Sequence, residues 1–272
     1  MMKRLFDDKG IQDERPLISC RDVSLAYEGR VVASGVNLTV SRGDYLCIVG
    51  ENGSGKSTLM KAMLGLHPVE KGRMEASPEA LAAGFGYLPQ QTPAQRDFPA
   101  SVWEVVTSGC MSRGRWRPFL TAADKRKAKD AMSRMGISDL EKKCYRDLSG
   151  GQQKRVLRAR AFCATGKLIF LDEPIAGLDP LAMQDMYDVI SEMHCPEEGE
   201  GVTVVMVSHD VAAAVRYATH ILHMDKTDAF FGRTEDYLKT ELGRRFVCER
   251  CAPRDRFYIG ERIPFFGDRE DA

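Results

Sequence analysis

The residues best equipped for chemistry stand in four stretches far apart in the chain. The first, Gly50-Glu51-Asn52-Gly53-Ser54-Gly55-Lys56-Ser57-Thr58, reads G-x-x-x-x-G-K-[ST]. Glycines let backbone N–H groups turn inward around an oxyanion, and a helix starting at the end of the loop adds its partial positive charge. In such a loop the Lys56 ammonium reaches the β- and γ-phosphates of a nucleotide, and the Ser57 hydroxyl ligates Mg²⁺. In the second stretch the apolar run Leu168-Ile169-Phe170-Leu171 ends in Asp172-Glu173. An aspartate at the end of a buried strand holds Mg²⁺, and the adjacent Glu173 is placed to orient or deprotonate an attacking water. The third is Ser208-His209-Asp210, closing another apolar run, where His209 could hydrogen-bond a γ-phosphate. The fourth is Gln90, directly after Gly84-Phe85-Gly86-Tyr87-Leu88-Pro89, at a strand end where polar side chains face ligands in open α/β sheets. The chemistry these residues suit is phosphoryl transfer from a nucleotide to water.

The elements that must position them are legible on both sides of each stretch. Tyr45-Leu46-Cys47-Ile48-Val49 is short and apolar, as a strand buried on both faces should be, and the run from Thr58 to Leu64 reads as a helix. Upstream, Val36-Asn37-Leu38-Thr39-Val40 alternates apolar with polar, and Glu28-Gly29-Arg30 predicts a turn between two antiparallel strands, with Tyr27 at its entrance. Buried strands are expected at 168–171 and 202–207, with a helix over 181–194 that sets Met183, Met186, Ile190 and Met193 on one stripe facing the sheet. Residues 221–238 read as short strands and a helix. Residues 92–147 change character. Strand signals fade, and the helical pattern over 121–135 carries Asp124, Lys125, Arg126, Lys127, Lys129 and Asp130 on what reads as a solvated face.

Composition bounds the reading. The 272 residues can bury a full α/β core, and 39 Lys+Arg against 39 Asp+Glu give a formal net charge of zero. That balance argues against a protein that holds DNA or RNA through a large basic surface, so no nucleic-acid partner is expected. No run approaches the roughly 18 consecutive apolar residues of a membrane-spanning helix. The first ten residues turn acidic where a signal peptide needs an apolar segment, which predicts a cytosolic location. Of the eight cysteines, only Cys248 and Cys251 form a recognisable pair; without a second ligand pair beside them, an incidental pair is expected rather than a zinc site.

One further stretch makes the reading specific. Leu148-Ser149-Gly150-Gly151-Gln152 resembles the signature of ATP-binding-cassette (ABC) ATPases, and the other elements stand in that family's order. Tyr27 is similar to the aromatic that stacks on adenine, Gln90 to the Q-loop glutamine, Glu173 to the catalytic glutamate, Gly177-Leu178-Asp179 to the D-loop, and His209 to the switch histidine. The resemblance runs from about residue 17 to 242, and no catalytic motif is replaced, which implies a hydrolytically competent copy. It implies an α/β fold: a P-loop NTPase core of ABC type, with a mostly parallel sheet, an antiparallel β subdomain and an inserted α-helical subdomain. The expected divisions are a leader over 1–16, a core over 17–91 and 148–242, a helical subdomain over 92–147, and a C-terminal tail over 243–272. The resemblance implies ATP held by Tyr27, by Gly50, Asn52, Gly53, Ser54, Gly55, Lys56, Ser57 and Thr58, and by Ser149, Gly150, Gly151, Gln152 and Asp179. It implies Mg²⁺ held by Ser57, Gln90 and Asp172, and catalysis by Glu173, His209 and Gln90. Ser149 and the Gly150 and Gly151 amides would form an anion nest facing a nucleotide bound by a second ATPase subunit, so that a homodimer completes two sites.

A finer resemblance lies in Gly86-Tyr87-Leu88-Pro89-Gln90 followed by Phe98-Pro99-Ala100-Ser101-Val102, and again in Tyr217-Ala218-Thr219-His220-Ile221-Leu222-His223. Both look like ABC subunits of the zinc/manganese importer group. This implies integral membrane permease subunits as partners and, through them, an extracytoplasmic substrate-binding protein. The chain would then lie in the cytoplasm, peripheral on the inner face of the membrane. An iron-siderophore or cobalamin importer, or a soluble ABC ATPase of cofactor assembly, is the alternative. Phe98, Val102, Val105 and Val106, with Trp103 beside them, are expected to offer an apolar docking face for a partner helix, with Glu104 on its exposed rim.

Overall fold

The computed structural model describes residues 16–89, 99–110, 119–164, 166–195, 201–225 and 229–246. Residues 1–15 of the leader, Gln90, Phe98, Cys248 and Cys251 lie outside the described residues. Antiparallel strands β1 (Ile18–Tyr27) and β2 (Arg30–Val40) are joined by the expected tight turn, whose central residues Glu28 and Gly29 have φ of 49° and 75°. Positive φ at both positions matches the twist of the flanking strands. Leu38 and Val40 are buried while Asn37 and Thr39 are exposed, so the alternation is realised as one packed face and one wet face. On its other edge β1 pairs with β4 (Lys71–Ala76), giving a three-stranded sheet ordered β2-β1-β4.

The second sheet has six strands: β3 (Tyr45–Val49), β5 (Phe85–Leu88), β6 (Leu168–Asp172), β7 (Thr203–Val207), β8 (His220–Met224) and β9 (Ala229–Arg233). Their order is β5-β6-β7-β3-β8-β9, parallel except for the last pair. β3, β6 and β7 are buried at every residue, as strands covered on both faces must be. Leu46 and Ile48 point into a core shared with β1, β2 and helix α1 (Lys56–Met63). Tyr45, Cys47 and Val49 point into the opposite core, against α3 (Val102–Ser108), α4 (Ala122–Arg134), α5 (Gly150–Ala164), α6 (Pro180–His194) and α7 (Val211–Tyr217). The short α2 (Pro78–Ala83), α8 (Thr234–Tyr237) and α9 (Glu241–Phe246) complete the helices, and no described helix is long and apolar enough to cross a membrane. Residues 243–246, read from sequence as aperiodic tail, continue α9 as helix.

Helix starts follow local chemistry. Thr121 and Asp124 form a reciprocal capping box on α4, whose charged residues face solvent while Ala128, Ala131 and Met132 are buried. On α6, Met186 and Ile190 are buried and Met193 packs at the margin, while Met183 lines a cleft beside Glu173.

The docking face expected around residue 102 is corrected here. Val102, Val105 and Val106 are buried in the core between α3, α4 and α5, because α3 turns its apolar side inward. Glu104 is no free rim charge: its carboxylate accepts from the Ser101 N–H at 2.8 Å and from the Ser101 hydroxyl at 2.7 Å, closing the α3 capping box. Trp103 packs partly against the same core.

Candidate functional site

The site forms where the parallel strands end. Asp172 stands opposite Val207 in the β6–β7 register, the Ser208 N–H donates to the Ile48 carbonyl at 3.0 Å, and the Glu173 N–H to the Val207 carbonyl at 3.2 Å. One sheet edge therefore carries Gly50, Asp172, Glu173, Ser208 and His209 together. The loop leaving β3 makes the closest approach. Gly50 has φ 136°, and a Cβ there would lie 1.9 Å from the Met224 carbonyl oxygen of β8, so only glycine fits. Gly55, at φ 90°, starts α1 without a side-chain cap, which leaves the first-turn N–H groups aimed out of the helix. A Cβ on Gly55 would lie 3.0 Å from the Val32 carbonyl, so β2 backs the loop.

Inside this loop Lys56 is 5% exposed, and its ammonium donates to the Gly50 carbonyl at 2.8 Å and the Glu51 carbonyl at 2.6 Å. Burial lowers its pKa, opposed by the carboxylates of Glu173, Asp172 and Glu51. The Ser57 hydroxyl donates to Asp172 Oδ1 at 3.0 Å. Burial raises the Asp172 carboxyl above the ordinary aspartate range, and the Ser57 hydrogen bond opposes the rise. The buried Ser54 hydroxyl has no hydrogen-bond partner among the described residues. A buried cation, an outward-facing helix start, a polar atom awaiting a partner and a hydroxyl–carboxylate pair suit a phosphate chain with a hard divalent cation.

Glu173 occupies the left-handed region at φ 51°, which costs a non-glycine residue about 1–2 kcal/mol. This conformation turns its side chain to His209, whose Nε2 lies 2.5 Å from Glu173 Oε1. When the carboxylate is ionised it only accepts, and the pair then forms through the imidazole tautomer that donates from Nε2. Both residues border a cleft of about 260 Å³ that Ala176, Leu178, Met183 and Ser208 also line. Asp210 caps α7 by accepting from the Ala213 N–H at 2.9 Å.

The remaining sequence-predicted residues stand apart. Tyr27 is 52% exposed at the hairpin end, with the His67 ring stacked on it at 6.5 Å. Ser149 and Gln152 bond one another at the start of α5: the Gln152 N–H donates to Ser149 Oγ at 3.3 Å and the Ser149 N–H to Gln152 Oε1 at 3.1 Å. Gly150 and Gly151 are exposed, with open space where a Cβ would stand. Asp179 caps α6 by accepting from the Ala182 N–H at 3.0 Å. Sequence reasoning missed Lys154 and Arg158 of α5, which reach the loop after Glu173. Lys154 donates to the Ala176 carbonyl at 3.0 Å and the Gly177 carbonyl at 3.3 Å, and Arg158 to the Pro174 carbonyl at 3.4 Å. Backbone carbonyls as partners leave no trace in residue type; the only available signal was the i, i+4 spacing of two cations on one helix face.

Comparison with known proteins agrees with this geometry. Residues 33–176 match the ABC transporter family. The manganese transport system ATP-binding protein MntB of Bacillus subtilis is 34% identical over 81% of this chain and 88% of its own length. The zinc uptake system ATP-binding protein ZurA of Listeria monocytogenes is 31% identical over 82% and 88%. Among solved structures, an ABC transporter in an inward-facing conformation superposes with TM-score 0.71 at 27% identity, covering 85% of this chain and 88% of that one. The chain belongs to the ABC transporter family, as one of its ATP-binding, ATP-hydrolysing subunits.

Proposed function

We propose that the chain powers import of a divalent metal ion, zinc or manganese, by hydrolysing ATP as a peripheral subunit on integral membrane permease subunits. The observation that carries the ATPase part is the sheet edge where Ser57 donates to Asp172 while the neighbouring Glu173 pairs with His209. A cation-binding pair and a general-base pair on adjacent residues are what phosphoryl transfer to water requires. The metal part is supported by manganese and zinc systems among the relatives.

In this reading Lys56 and the N–H groups of 50–58 hold the phosphates. Ser57 and Asp172, with Gln90, hold Mg²⁺, which when bound neutralises charge developing between the β- and γ-phosphates. Glu173 accepts the proton of the attacking water, and His209 holds the Glu173 carboxylate in place and meets the γ-phosphate. Tyr27 stacks on the adenine ring. Ser149, Gly150 and Gly151, exposed on α5, complete the nucleotide site of a second copy, and Asp179 sets the two copies against one another. The helical subdomain expected over 92–147 faces the permease, and an extracytoplasmic binding protein delivers the ion on the far side.

Deleting the gene tests the assignment. Cells should become sensitive to a divalent-metal chelator, with rescue by zinc or manganese salts. Rescue only by a ferric chelate or cobalamin would overturn the metal reading and leave the ATPase reading standing.

A further inference from the structure

α5 serves two places along its length. Its first residues are the exposed Ser149, Gly150 and Gly151, and farther along the same helix Lys154 and Arg158 bind the loop that follows Glu173. That loop is short and held at both ends. Glu173 begins it, strained at φ 51° and paired with His209; Asp179 ends it as the cap of α6. Between them, three carbonyls, those of Pro174, Ala176 and Gly177, all accept from α5. Gly177 has φ 66°, a left-handed conformation that favours glycine, and its carbonyl is one of the two that Lys154 reaches. Arg158 is buried, with its pKa lowered to about 10, first by burial and then by the neighbouring Arg155 charge. Lys154 is half-buried and reaches the loop from the solvent side.

We infer that Lys154 is a positioning residue: it ties the helix bearing Ser149 to the loop bearing Glu173, so that nucleotide engaged by Ser149 sets the general base of the same chain. The inference rests on the composite-dimer reading above. There, Ser149 touches the nucleotide held by the second copy, whereas Glu173 acts on the nucleotide held by its own chain. Lys154 is then a mechanical link between two nucleotide sites through one protomer. An ammonium suits the role because its three N–H donors can serve two carbonyls at once. A displacement at the start of α5 can therefore reach the backbone of 176–177 through the Lys154 hydrogen bonds.

The test compares Lys154→Met and Lys154→Arg with wild type in the full-length chain, reading ATPase rate against ATP concentration and, separately, equilibrium binding of a fluorescent ATP analogue. Lys154→Met should lower kcat roughly three- to tenfold, the net worth of about one ordinary hydrogen bond. Its Hill coefficient should fall toward one, analogue affinity should stay at the wild-type value, and Lys154→Arg should restore cooperativity. An unchanged Hill coefficient in Lys154→Met overturns the inference. So does a loss that tracks a lowered melting temperature and resists Lys154→Arg, which marks the lysine as structural. Wild type that neither dimerises with ATP nor loses activity on Ser149→Arg overturns the composite reading together with this one. Ser149 dependence with a silent Lys154→Met removes this inference alone.

Discussion

The two ends of the catalytic machinery are held in opposite ways. Around Lys56 and Asp172 the polar side chains are buried, 5% and 3% exposed; Lys56 closes on the carbonyls of its own loop, and Asp172 bonds Ser57, 115 residues away in sequence. Around Ser149 the residues are exposed, and Ser149 and Gln152 bond one another across a single helical turn. The Ser57–Asp172 pair cannot exist until the sheet is assembled, and both its members come from one protomer. The Ser149 arrangement is finished locally as a helix cap and has groups left over on an open surface. On the proposed reading, the difference separates side chains that serve a chain's own nucleotide from a contact it carries for another molecule.

The hardest blow to this contrast falls on the built-in half. Glu173→Gln should retain ATP binding and lose turnover by roughly 10²–10⁴-fold. It should accumulate as an ATP-bound dimer on size-exclusion chromatography. Turnover at the wild-type rate would remove Glu173 from the role of general base.

A cleaner cut can be made in the carried half. Aspartate caps a helix about as well as serine, so Ser149→Asp should shift stability by no more than about 0.5 kcal/mol while placing a carboxylate where a γ-phosphate must come. ATP-driven dimerisation should disappear. Mixing Ser149→Asp with Lys56→Ala should recover part of the ATPase activity, since each mixed dimer retains one site with both halves intact. Two inactive partners that remain inactive when mixed would contradict the division.

A smaller effect sharpens the electrostatics. Burial holds the Asp172 carboxyl above the ordinary aspartate range. In the metal-free chain the folded state therefore binds this proton more readily than the unfolded state, and the Asp172 contribution to stability declines as pH rises from the ordinary to the raised value. Mg²⁺ competes for the same oxygens and demands the charged form. Thermal stabilisation by Mg-ATP should weaken on acidification sooner than for an ordinary aspartate, and Asp172→Asn should flatten that dependence. The mildest change is Tyr27→Ala, which removes a stacking face worth about 0.5–1.5 kcal/mol. The KM for ATP should rise up to roughly tenfold with kcat unchanged.

Much of this was legible because phosphate chemistry restricts residue type. The loop at 50–58, the acids at 172–173 and the strands that deliver them follow from glycine placement and apolar runs, and β3, β5, β6 and β7 form where expected. β4 was not legible: Lys71–Ala76 is largely polar and exposed, and only its pairing with β1 makes it a strand. The sheet order was hidden as well, since it depends on which strands pair across long crossovers. The apolar residues of α3 were visible but not their direction, because helical spacing is the same whether a face meets a core or a partner. Lys154 was hidden most completely, for its partners are carbonyls that every residue possesses.

The strand order has a consequence for how the molecule is made. β3 lies between β7 and β8, which the ribosome delivers only in the last third of the chain, and Gly50 closes directly against the carbonyl of Met224. While the hairpin of β1 and β2 can form early from local pairing, the phosphate loop emerges without either of its walls. Nascent chains stalled before β8 leaves the exit tunnel should therefore fail to retain ATP, however much of the loop sequence they already display. Competence arrives late in biosynthesis and all at once, so unfinished chains would draw nothing from the cellular nucleotide pool.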